Sequence, residues 1–117
     1  MNIKKHKAYN IEISEVIEQE LFIGSADQST DILGNIETDR VVLYARYFEE
    51  DFFDLSTKKL GEFMQKFANY RVRLAIVGDF SKYPSKTLKD FIYESNKDGD
   101  YLFVSTVDEV LERWKQI

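Results

Sequence analysis

The chain has 117 residues, a formal net charge of -5, 44% hydrophobic residues and 15% aromatic ones. That length suits one domain with one core, the apolar share argues against disorder, and the acidic balance argues against wholesale nucleic-acid binding, which needs a basic face. The absence of cysteine excludes thiol catalysis, disulfides and sulfur-ligated metal sites, and with His6 as the lone histidine a Ser-His-Asp triad, a His-rich metal site and a two-His relay all become implausible.

At the start, Met1 to Lys7 is polar, without the apolar stretch of a cleavable signal. "KKHK" at residues 4 to 7 reads as a solvated terminus. "AYNIEI" then alternates as a half-wet strand does. "EVIEQELFI", rich in Ile and Val, reads as its hairpin partner. "SADQSTDILGNIE" predicts a short helix. Ser25 and Gln28 have capping-box spacing, and Leu33 and Ile36 turn inward.

"RVVLYARYF" predicts a buried strand, and "TKKLGEFMQKFANY" an amphipathic helix. Leu60, Phe63, Met64 and Phe67 of the helix fall at i, i+3, i+4 and i+7. Gly61 inside that helix implies close backbone packing, since Gly is disfavoured there by about 1 kcal/mol against Ala.

"RVRLAIVGDF" has a continuously apolar middle, as in a strand covered on both faces. "SKTLKDFIYES" predicts a helix whose inward face is Leu88, Phe91, Ile92 and Ser95, with Pro84 in its first turn and Asn96 and Gly99 breaking it. "DYLFVST" is the last strand. A helix from about Val107 to Lys115 follows, with Thr106 and Glu109 as a capping box.

The order β-β-α-β-α-β-α-β-α defines a single α/β domain over residues 1–117, with a four- or five-stranded mixed sheet. The longest apolar runs are far short of a bilayer span, and the composition fits a cytoplasmic protein.

Ligands of open parallel sheets collect beyond the carboxyl ends of the strands. Three such ends carry polar side chains. One leads into Glu49, Glu50, Asp51 and Asp54. Another leads into Gly78, Asp79, Ser81 and Lys82, and the last into Ser105 and Thr106. Asp79, Ser81, Lys82, Asp54 and Ser105 are therefore the ligand-binding candidates.

No catalytic set and no cofactor motif emerges. "GDFSKYPSK" lacks the spacing of a phosphate-binding loop. Its structural reading is a strand exit in which Gly78 permits a turn, Asp79 and Ser81 satisfy loop amides, and Phe80 and Tyr83 lie over the core. A receiver-type phospho-acceptor needs an acidic pair after the first strand and a Lys after the last; Asn10, Glu12 and Ser105 stand at those places.

The stretch from "DFFDL" through "QKFANYRVRLAIVGDFS" to "LKDFIYESN" resembles the bacterial family catalogued as domain of unknown function 4180, over about residues 23 to 111. That resemblance implies a small bacterial cytosolic protein, with no activity attached. The element order also looks like the STAS fold of anti-sigma-factor antagonists. There a Ser opening a helix after a central strand can be phosphorylated to switch partner binding. The matching place is "DLSTKKLGEF", with Ser56 and Thr57; the usual "SSGL"-like turn is absent.

The inventory points to a non-enzymatic regulatory or interaction module, working on an unknown protein partner or as a homodimer. The alternative is a small-ligand or phosphate-binding protein, or a minor enzyme, using the rim around Asp79.

Overall fold

The computed structural model describes residues 1–115. A five-stranded sheet runs in the order β1 (Ile3–Ala8), β2 (Ile11–Val16), β3 (Arg40–Tyr44), β4 (Arg73–Val77) and β5 (Tyr101–Val104). β1 is antiparallel to β2, and the remaining neighbours are parallel. The connecting helices are α1 (Ser29–Leu33), α2 (Lys59–Asn69) and α3 (Lys86–Asp98), and α4 (Val107–Trp114) follows β5.

Right-handed crossovers between sequential strands place all connecting helices on one face. The core agrees. Ile32, Phe63, Phe67 and Leu88 from α1–α3 pack with Val41, Leu43, Leu74, Ile76 and Phe103 of the sheet. The alternate strand residues, Ile13, Val42, Ala75, Leu102 and Val104, form a smaller cluster with Val110 and Trp114 of α4. The Trp114 indole N–H donates to the Gly99 carbonyl at 2.7 Å, which docks α4 against the turn before β5.

Most helices and strands match the predicted pattern, but four local expectations are corrected. The first hairpin lies earlier than expected: "KKHK" is inside β1, with Ile3 opposite Val16 and Ala8 opposite Ile11. Tyr9 and Asn10 form its two-residue turn, both at positive φ (53° and 67°), a geometry that matches the twist of the flanking strands. The lysines are exposed, as a sheet edge favours, because charge discourages pairing with another strand. "EVIEQELFI" leaves the sheet after Val16. The Tyr47 hydroxyl donates to the Val16 carbonyl and accepts from the Glu18 amide, ending the strand there; only Ile23 pairs again, as a single bridge to Phe48.

The second correction concerns Pro84, which precedes α3 rather than entering it. Ser85 is the cap, its hydroxyl accepting the Leu88 amide at 3.2 Å. Third, Asn96 sits inside α3, and Gly99 alone ends it, at φ 90°. The Asn96 amide instead bonds both the N–H and the carbonyl of Phe103, occupying the outer edge of β5. Fourth, Gly61 is exposed, and a Cβ there would meet nothing within 4 Å, so close packing does not explain it.

Candidate functional site

At the carboxyl ends of β3, β4 and β5 lies an open cleft of about 490 Å³. β3 and its exit contribute Tyr44, Ala45, Arg46 and Glu50; β4 and its exit contribute Val77, Gly78, Asp79 and Lys82; β5 ends in Ser105. Gly78 is required by proximity, since a Cβ there would stand 2.5 Å from the Ala45 Cβ. The two strand exits touch through it.

Asp79, Lys82 and Ser105 thus meet in one cleft. Ser81 is beside it but not on its wall, and Asp54 lines a separate groove with Phe53, Tyr83 and Ser85. The two aspartates do the same local work. Asp79 accepts the Ser81 amide at 3.0 Å and also the Ser81 hydroxyl. Asp54 accepts the Ser56 amide at 3.1 Å and its hydroxyl at 2.7 Å. Each D-x-S triplet opens a 3₁₀ turn, Phe80–Lys82 in one case and Leu55–Thr57 in the other. The paired serine hydroxyl, and then its amide, hold each carboxyl below the usual carboxylate range.

Ser56 is exposed. Thr57 is half-buried, its hydroxyl donating to the carbonyls of Asp51 and Asp54 and accepting the Lys59 amide. Lys58, at φ 64°, is the N-cap that precedes α2. Lys59 is bound to Asp51 at 2.7 Å and Lys82 to Glu50 at 3.4 Å. Phe80 and Tyr83 lie over the core as expected, each in tilted contact with the Phe53 ring, with Phe80 also edge-on to Phe103.

One cluster was not foreseen. Glu15 on β2 is 6% exposed and carries partners on both oxygens: His6 Nε2 at 2.7 Å from Oε1, and the Tyr44 hydroxyl donating to Oε2. Burial first, and then the bond to Glu15, push the Tyr44 phenol up to about 12. Glu15 falls on the same face of β2 as Ile11 and Ile13, and β1 brings His6 over it. Arg46 in turn lies over the Tyr44 ring at 4.3 Å and the Tyr47 ring at 5.1 Å. Among the described residues, no group of three His, Asp or Glu is arranged to hold a metal ion, and no helix is long and apolar enough to cross a membrane.

The fold and the cleft define an α/β domain with an antiparallel edge hairpin and a strand-end rim whose carboxylates are held by their own loops. The chain belongs to the family described as domain of unknown function DUF4180, whose profile matches residues 8–114. A search of curated proteins finds no match. Among solved structures, an anti-sigma-factor antagonist (STAS) domain protein from Planctomyces limnophilus aligns over 96% of this chain and 97% of its own, at 11% identity and a TM-score of 0.37.

Proposed function

We propose that the protein is a non-enzymatic regulatory or interaction module that acts by binding another protein or a second copy of itself. The supporting observation is the employment of its strand-end polar groups. Asp79 and Asp54 close their own turns, and Lys59 and Lys82 pair with neighbouring acids. A catalytic set needs groups aimed at a shared reacting atom, with a base in reach of the proton it takes. These groups are aimed at each other. The surface meanwhile leaves Phe22, Tyr70 and Tyr93 60% to 70% exposed, and aromatics of that kind serve contacts well. Ser56 is the better placed of the two phosphorylation candidates by exposure alone, since both hydroxyls are hydrogen-bonded, Ser56 to Asp54 and Thr57 to the Asp51 and Asp54 carbonyls. Purification from native cells tests the reading: a stoichiometric protein partner or a stable dimer supports it, and turnover of a defined substrate contradicts it.

A second reading is favoured by the cleft itself: a small ligand held among Asp79, Lys82 and Ser105, in a volume that suits one. A ligand that binds the native state raises its melting temperature by mass action. No shift with nucleotides, phosphosugars or divalent ions would count against it.

A further inference from the structure

The geometry points to a carboxylate-bearing small molecule in the strand-end cleft, with Arg46 as its anchor and Glu50 and Asp79 receiving an ammonium or hydroxyl at its other end. This rests on the second reading above. Arg46 lines the cleft and is exposed to it, and among the described residues no carboxylate forms an ion pair with it. Its guanidinium is seated on the faces of Tyr44 and Tyr47. These cation–π contacts hold the group beside the two rings, and its N–H fork matches a carboxylate in two parallel hydrogen bonds.

The seat is itself fixed from below. Tyr44 is tied to buried Glu15, and Glu15 to His6; the Tyr47 hydroxyl is tied to Val16. Arg46 therefore stands on the sheet, not on a mobile loop. A cation held in place before its ligand arrives loses less freedom on binding.

The opposite charges of the cleft decide the ligand class. Lys82 is loosely paired to Glu50 at 3.4 Å, and Asp79 keeps its second oxygen outside the bonds to Ser81. A phosphate dianion would meet both carboxylates. A single carboxylate on Arg46, with a donor reaching Glu50 or Asp79, meets none of that repulsion. Amino acids and hydroxy acids have this pattern, and a cleft of about 490 Å³ admits them.

The test uses amide NMR of the full chain at fixed ionic strength, with serine, acetate and inorganic phosphate as separate probes. The expected result is a saturable shift of the Ala45, Gly78 and Ser105 amides, strongest with serine. Arg46→Gln weakens it at least tenfold; Lys66→Gln, on the outer side of α2, leaves it unchanged. Arg46→Lys keeps the charge without the fork, and should fail to restore binding even if Arg46→Gln does not fold. Saturable shifts that survive both Arg46 variants but vanish in Asp79→Asn would overturn Arg46 as the anchor while leaving the cleft reading in place. Phosphate binding more tightly than serine would overturn the carboxylate class. No response beyond that of sodium chloride would overturn both.

Discussion

Asp79 accepts both the amide and the hydroxyl of Ser81, so a carboxylate lining the strand-end cleft closes the turn that it begins. Asp54 and Ser56 repeat the arrangement one strand earlier. Asp79→Ala and Asp54→Ala should therefore lower the melting temperature, and Asp79→Asn, which keeps an acceptor, should lower it less. The pH dependence follows from the depressed carboxyls. A group whose folded value is lowered contributes stability above its ordinary range and loses it as pH falls through the folded value, here below about pH 4. Thermal melts across the acid range should show a shallower decline for Asp79→Asn than for the parent.

Tyr44 has the opposite sign. Its phenol is raised to about 12, so the neutral form is favoured in the folded state. The contribution is fully present below the ordinary tyrosine value of about 10 and is lost as pH rises from there toward 12. In a difference titration, the phenolate absorbance missing from Tyr44→Phe should be that appearing near pH 12. Glu15→Gln should move that step to lower pH. A Tyr44 step at the ordinary value would remove Glu15 from the account.

Two glycines should respond in opposite directions. Gly61 stands in α2 with open space where its Cβ would be, so Gly61→Ala should stabilise by about 0.5–1 kcal/mol. Gly78→Ala drives a methyl into Ala45 at the β3–β4 exits and should destabilise by about 1–3 kcal/mol, as overpacking does. Urea unfolding of the pair measures both signs.

Asn96 satisfies the N–H and carbonyl of Phe103 on the outer edge of β5. Asn96→Ala should remove two hydrogen bonds and destabilise by about 1–3 kcal/mol. Light scattering should also show faster association on warming, because the edge then offers unpaired groups to another chain.

The alternation of strands with helices from residue 40 onward was legible because apolar runs and helical spacing coincide there with caps. Thr106 does accept the Glu109 amide, and Leu88 is fully buried, as their patterns imply. The N-terminal hairpin was not legible. β1 is an edge strand whose lysines face water, so its sequence carries a charge run where a strand pattern was sought. Its turn uses Tyr9 and Asn10, and Tyr at positive φ is an uncommon turn residue. Missing β1 hid the partner of Glu15, since His6 lies on that strand. Gly61 misled for a different reason: helix propensity is a weak prior, and it says nothing about the space around a residue. Asp79 and Ser81 were readable as polar loop satisfaction, and they do hold their own loop. What a sequence could not give was which strand ends share a wall: Asp79, Lys82 and Ser105 do, while Asp54 looks into the next groove.

The claim that this protein works by contact and not by turnover rests on Asp79 being a loop closure. The most direct measurement compares the parent with Asp79→Ala in two assays, partner or self-association and turnover of any substrate found to copurify. The account predicts a variant with a lower melting temperature that still associates with unchanged stoichiometry. A defined reaction that survives purification and is abolished by Asp79→Ala, in a variant that remains folded, would contradict it.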